Sequence, residues 1–223
     1  MKHMEKKKIR LAIFDLDGTV LDTLESLGSC VNSLLEERGY KTHEMNSYKH
    51  FVGSGAFKLI ERAVGDVSVA KEELEAITAC FITRYDACVL EKVYPYEGII
   101  KVLETLQEKG ISLAVVTNKP HEQAVKLVAH YLKGINFIAV QGNLPHLPHK
   151  PNPFVVNQVI AEQEVAKEEV FYIGDSDVDM QTANCSEVVG IGVSWGFRSK
   201  EELMANGASC VIDTPEQLLE YIL

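Results

Sequence analysis

The chain has 223 residues, of which 46% are hydrophobic and 24% charged, with a formal net charge of −10. This is a globular balance with material for one large domain, or for a core with a smaller insert. The acidic charge argues against nucleic acid and anionic membranes as partners, and any site for an anionic substrate needs local positive charge. No apolar stretch approaches the roughly 18 residues of a membrane span, and the basic start MKHMEKKKIR lacks the apolar segment of a secretory signal. The five cysteines, Cys30, Cys80, Cys88, Cys185 and Cys210, are scattered without a C-x-x-C. They suit free thiols in a reducing compartment, so a cytoplasmic location is expected.

In chain order, residues 9–14 form a short, almost unbroken apolar run, the pattern of a strand buried on both faces. From 22 to about 90 no strand is expected, and helical patterns cover roughly 24–38, 56–64 and 71–90. The stretch VYPYEG, 93–98, reads as a hinge. Beyond it helical patterns at 97–109, 120–132, 153–163, 178–184 and 215–221 alternate with apolar runs. Those runs are ISLAVVT from Ile111, NFIAV from Asn136, VFYIGD from Val170, VVGIGV from Val188 and SCVID from Ser209. Gly110 suits the position after a helix, and Pro120 and Pro215 suit first turns. The alternation predicts an α/β fold with a parallel sheet between helix layers, interrupted after strand 1 by a helical insertion.

The stretch AIFDLDGTVLDT, 12–23, places Asp15 and Asp17 where the first strand should end. Ligands of open α/β sheets sit beyond those strand ends. Residues two apart on extended backbone share a side, so both carboxylates face one crevice. Gly18 permits a tight turn after them and Thr19 can bond locally. Like charges this close repel, and a divalent cation removes the objection; Mg²⁺ takes carboxylates, waters and phosphate oxygens. A carboxylate held in this way can attack phosphorus, and the second can protonate the leaving oxygen and later activate water. The plain alternative is a pair of loop aspartates capping a turn.

Three further stretches weigh against that alternative. VVTNKP puts Thr117 and Asn118 at the end of another core strand, where a hydroxyl and backbone amides can hold phosphate oxygens. HKPNP puts Lys150 just before a predicted helix, as a local positive charge. YIGDSDVDM ends a strand with Asp175, Asp177 and Asp179, a plausible hard-cation site; Asp177 is assigned mainly to the first turn of the following helix.

D-x-D-G-T, a strand-end Thr, Lys-Pro and G-D-S-x-x-D, in this order, resemble the haloacid dehalogenase-like phosphatase superfamily. The stretches FVGSGAFKLIERA (51–63), DGTVLDT and VTNKP are similar to those of its phosphoglycolate phosphatase-like subfamily. The resemblance implies a Rossmann-like three-layer core with a parallel sheet and a small helical cap domain inserted after strand 1. The expected core is 1–21 with 92–223, and the expected cap 22–91. It implies a phosphatase that uses Mg²⁺ and forms an aspartyl-phosphate. Asp15 then resembles the nucleophile and a metal ligand, and Asp17 the general acid/base with its backbone carbonyl on the metal. Thr117 matches the phosphate-binding hydroxyl, Lys150 the charge-stabilising lysine, Asp175 a direct metal ligand and Asp179 an outer acid acting through water or toward Lys150. The second aspartate of the first motif separates phosphatases and phosphomutases from the dehalogenases of the family.

The loop QGNLPHLPHKPNP departs from the acidic, glycine-containing pattern usual before the lysine. His146 and His149 in it are read as exposed loop residues, with a transition-metal site as the alternative. In the insertion, Gly53, Ser54 and Gly55 form a turn expected to reach the substrate, so Gly53 and Ser54 join Thr117 and Asn118 as substrate-binding candidates. Arg62 is a candidate for a substrate carboxylate or a solvated helix residue. The connections at 20–23 and 90–96 are the expected hinges of a cap that shields and then admits water. The implied partner is a small phosphorylated metabolite, first 2-phosphoglycolate. A sugar-phosphate phosphatase, a pyrophosphatase, a phosphomutase and a non-catalytic phosphate- or partner-binding protein are the alternatives.

Overall fold

A computed structural model describes residues 8–66 and 68–223; most of the basic start read above, residues 1–7, lies outside them. The first apolar run forms β1 (Leu11–Phe14), with all four residues buried. A two-residue strand, β2 (Leu21–Asp22), follows. Four helices come next: α1 (Leu24–Glu37), α2 (Met45–Phe51), α3 (Ala56–Val64) and α4 (Lys71–Cys88). The chain returns through β3 (Tyr94–Pro95), antiparallel to β2.

Strands and helices then alternate: α5 (Ile99–Glu108), β4 (Ser112–Pro120), α6 (His121–Tyr131), β5 (Phe137–Asn143) and α7 (Phe154–Glu162). They continue with β6 (Val170–Gly174), α8 (Asp177–Ser186), β7 (Val189–Val193), α9 (Lys200–Ala205), β8 (Cys210–Ile212) and α10 (Gln217–Ile222). Six strands pair in the order β5-β4-β1-β6-β7-β8, and every pair in that sheet is parallel. The α/β architecture expected from the alternating runs is the one observed.

The register decides where the chemistry sits. β1 lies between β4 and β6, with Phe14 level with Val115 on one side and Ile173 on the other. The Asp15 amide donates to the Ile173 carbonyl at 2.9 Å, so the ladder runs one residue past the strand and fixes the first carboxylate. One face of the sheet and the four-helix insertion share a continuous apolar cluster that includes Phe14, Leu34, Ile60, Phe81 and Leu103. The other face is covered by α7 and α8, against Leu11, Ile13 and Tyr172. Such burial is the main favourable term of folding. No helix among the described residues is long and apolar enough to cross a membrane.

Three features depart from the sequence reading. α2, with the sequence MNSYKHF, is too short and polar for a helical period, yet it forms because Tyr48 is buried and donates to Asn32 Oδ1 at 2.7 Å. α9 shows its start only in a capping box, Ser199 with Glu202. The expected hinges carry the β2–β3 ribbon, a pairing of two residues each that no alternation pattern can announce.

Candidate active site

Three strand ends meet at the C-terminal edge of the sheet. Asp15 follows β1, Thr117 lies near the end of β4 and Asp175 follows β6. All three are buried, at 6%, 5% and 1% exposure. The Lys150 ammonium, from the loop before α7, lies 3.0 Å from Asp15 Oδ1 and donates to Asp179 Oδ1 at 2.7 Å and to the Tyr172 hydroxyl at 2.9 Å. Asp179 stands in the first turn of α8, and its second oxygen accepts from the Ser176 amide at 3.0 Å and the Ser176 hydroxyl at 2.6 Å. Asp175 accepts from the Thr19 hydroxyl at 2.9 Å and the Phe197 amide at 2.9 Å. Gly18, at φ +87°, lets the loop close on it: a Cβ there would stand 2.3 Å from Asp175 Oδ2.

The electrostatics of this cluster are unbalanced. Burial, then the neighbouring Asp179 charge, push the Asp15 carboxyl up to about 6, against the opposing pull of Lys150. Burial, then Asp179 and Asp15, hold the Asp175 carboxyl well above the usual range. For Lys150 burial works the other way, but Asp15 and Asp179 outweigh it and hold the ammonium charged far above neutral pH. Asp15 Oδ1 is buried without a hydrogen-bond donor, because Lys150 is close in charge but poorly aligned. Oxygens of Asp15, Asp175 and Asp179 all lie within 4.8 Å of one another. An all-carboxylate set with one orphaned oxygen and congested negative charge fits a hard divalent cation. The carboxylate of Asp17 is outside that trio, so its side chain does not share in it.

Asp17 instead has a lysine of its own, which the sequence reading missed. Lys119 Nζ sits 3.0 and 3.2 Å from the two Asp17 oxygens, and 4.8 Å from the centre of the Tyr85 ring in α4. Beside this pair lies a narrow cavity with about 40 Å³ of free volume, bounded by Asp15, Asp17, Thr117, Asn118 and Lys119 from the sheet edge. Leu27, Val52 and Phe81 of the insertion close it from above. The structure therefore has the insertion shut over the carboxylates.

Gly53 and Gly55 of the turn line this cavity, whereas the Ser54 hydroxyl accepts from Arg62 at 3.2 Å. Arg62 also donates to the His50 and Phe51 carbonyls at 3.3 and 3.0 Å, so it braces the turn from outside instead of facing the ester. Asn118 spans two loops: it donates to the Gly53 and Lys150 carbonyls, both at 3.2 Å, and accepts from the Lys150 amide at 2.9 Å. Asp177 opens α8 after the Ser176 cap and pairs with Arg198 at 3.4 Å, a role beyond the helix start assigned to it. His146 and His149 are exposed, and neither belongs to the carboxylate trio. Tyr172 and Arg198 gave no signal of their own, since a strand tyrosine or a loop arginine acquires its partner only through the fold, and Thr19, expected to bond locally, donates instead to the distant Asp175.

The family described as Haloacid dehalogenase-like hydrolase matches residues 12–193. The chain belongs to that family. A phosphoglycolate phosphatase of Rhodobacter capsulatus is 34% identical over 83% of this chain and 84% of its own length. One of Aliivibrio fischeri is 28% identical over 96% of both. The crystal structure of a candidate phosphoglycolate phosphatase from Lactobacillus delbrueckii subsp. bulgaricus, 34% identical, superposes with a TM-score of 0.84 over 97% of this chain and 99% of that one. This haloacid dehalogenase-like hydrolase is a phosphatase, and its motifs stand at the strand ends described above.

Proposed function

We propose that this phosphatase hydrolyses small phosphomonoesters, 2-phosphoglycolate first among them, through an aspartyl-phosphate on Asp15. The observation that carries the reading is the convergence of Asp15, Thr117, Lys150 and Asp175 on one buried point under a closed helical insertion. Asp15 and Asp175, with the Asp17 backbone carbonyl, are the groups to hold Mg²⁺, and Asp179 orients Lys150. The ion, when bound, supplies positive charge that keeps Asp15 ionised and offsets the phosphate oxygens.

The Asp15 carboxylate attacks phosphorus and forms a new P–O bond as the ester P–O bond breaks. Asp17, paired with Lys119 in this structure, takes up a proton from water as the ester enters and gives it to the departing oxygen. Lys150 and the Thr117 hydroxyl stabilise the phosphoryl oxygens during transfer. Water then attacks the aspartyl-phosphate and passes a proton to Asp17; the Asp15–phosphorus bond breaks and phosphate leaves. The Val52 and Phe81 side chains over the cavity keep bulk water out until the first product departs. Residues 22–91 act as the cap, with the β2–β3 ribbon as its two-stranded hinge, and the cytoplasm is the compartment that suits the free thiols.

Two relatives named phosphoglycolate phosphatase support the choice of substrate. The test is release of phosphate from 2-phosphoglycolate, sugar phosphates and pyrophosphate, with and without Mg²⁺, by wild type and Asp15→Asn. Mg²⁺-dependent release that favours 2-phosphoglycolate and vanishes in the variant is expected. Equal release by both proteins overturns the mechanism, and a preference for sugar phosphates or pyrophosphate overturns the substrate.

A further inference from the structure

The turn at 53–55 reaches the cavity from the end of α2, and the backbone there is held in an unusual way. A helix leaves its last carbonyls without intrahelical partners. In α2 the Tyr48 carbonyl is taken by the Val52 amide. The next five carbonyls are all taken by side chains from elsewhere. Arg62 holds those of His50 and Phe51, Asn118 that of Gly53, and Arg198 those of Lys49 and Val52, the latter at 3.0 Å. Arg62 belongs to the insertion and moves with it. Asn118 and Arg198 belong to the sheet side of the molecule, so only their bonds depend on closure.

Arg198 is the stronger of the two. Its guanidinium is buried, carries full charge and spans two carbonyls at the negative end of a helix. Asp177 stands 3.4 Å from its Nε and fixes the plane of the fork. The segment that delivers it is itself locked to the catalytic cluster. Trp195 donates to the Thr19 carbonyl at 3.0 Å, the Phe197 amide holds Asp175, and a Cβ on Gly196 would stand 2.3 Å from that of Asp175. One short loop thus grips a metal-site carboxylate with one residue and the insertion with the next.

We propose that Arg198 is the closing latch of this enzyme, a positioning residue that holds the turn at 53–55 over the ester by gripping the C-terminal carbonyls of α2. The inference rests on the phosphatase reading above for its effect on turnover, but not for its effect on closure. Opening the insertion breaks both Arg198 bonds to it and returns a buried cation to water. Lysine at 198 keeps the charge but cannot bridge two carbonyls.

The experiment compares wild type, Arg198→Ala, Arg198→Lys and Asp177→Asn by amide hydrogen exchange and by turnover of two esters. Exchange at residues 49–55 is expected to rise about tenfold in both Arg198 variants, and less in Asp177→Asn, while β1 and β6 keep wild-type protection. The kcat/KM for 2-phosphoglycolate is expected to fall about tenfold or more in the Arg198 variants. That for p-nitrophenyl phosphate, whose aryl group is far bulkier than the leaving group of 2-phosphoglycolate and so leans less on full closure, should change less than about threefold. Unchanged exchange at 49–55, or an equal fall for both esters, overturns the latch. Should the wild type turn over neither ester, the phosphatase reading fails while the exchange comparison still decides the latch.

Discussion

The ammonium of Lys119 lies 3.0 Å from one carboxylate oxygen of Asp17 and 3.2 Å from the other, with both side chains almost out of solvent. Burial pulls the lysine pKa down, but Asp17 and then Tyr85 outweigh it and raise it. A raised lysine pKa gives stability that is fully present below the unfolded value and is lost only as pH rises through the folded one. At neutral pH the pair is therefore intact. Lys119→Met leaves the Asp17 carboxylate, 12% exposed, without a counter-charge, and a loss of up to about 3 kcal/mol is expected in urea unfolding. Asp17→Asn with Lys119→Met should recover a large part of that loss. A double variant no more stable than Lys119→Met would show that the lysine acts through its packing on Tyr85.

Asp15 gives a pH dependence of the same sign in a lower window, and it acts as a penalty at neutral pH. Its folded pKa, about 6, lies above the ordinary 3.8, so the folded state binds more protons between those values. Stability from this group falls as pH rises through that window and stays lower above it. Asp15→Asn removes the penalty. Without metal, the variant is expected to be more stable than wild type by about 1–3 kcal/mol at pH 7.5, and the gap should close by pH 4. Adding Mg²⁺ should raise the Tm of wild type and barely move that of the variant. A variant less stable than wild type at pH 7.5 in the presence of chelator would contradict the charge congestion described here.

The strand-end motifs were legible because each needs only local information: an apolar run, its end, and a polar residue type at that end. Asp15, Thr117 and Asp175 could be placed in this way, and Lys150 by its position before a predicted helix. What stayed hidden depends on distance in space. Lys119 is next but one to Thr117 in VTNKP, yet nothing local says that it turns to Asp17, 102 residues away. Arg198 reaches α2 across 149 residues. Arg62 was read as facing substrate or solvent, and the spacing on α3 could not reveal that carbonyls at the end of α2 would take its guanidinium. α2 itself was hidden because one buried tyrosine, with no apolar stripe beside it, anchors it.

Gly18 tests how tightly the site is built. Its φ of +87° is strained for any residue with a side chain, and the added methyl would collide with the Asp175 carboxylate. In Gly18→Ala the loop or Asp175 must move, and displacement by about 1 Å of a carboxylate proposed to hold Mg²⁺ is expected to cost on the order of 10²-fold in rate. The expected result is a kcat reduced by about that factor, with a higher Mg²⁺ requirement and a near-native circular dichroism spectrum. Wild-type turnover at low Mg²⁺ would rule out the close packing of Gly18 on Asp175 as a catalytic constraint.

Tyr172 is the remaining buried partner of the cluster. Its hydroxyl accepts from Lys150 at 2.9 Å and lies 3.0 Å from the Val116 carbonyl, one residue before Thr117. Burial, moderated by Lys150, raises its pKa well above the ordinary value, so it stays a neutral phenol that donates to the carbonyl while it accepts from the ammonium. It thereby ties the lysine to the strand that carries Thr117. Tyr172→Phe keeps the ring and removes that tie. Lys150 retains Asp15 and Asp179, so the ion pairs survive but the ammonium can shift along them. The stability cost should be about 1.5–3 kcal/mol, the worth of a hydrogen bond to a charged group, and kcat should fall by about tenfold with KM little changed. A rise in KM at constant kcat would instead assign the tyrosine to ground-state binding.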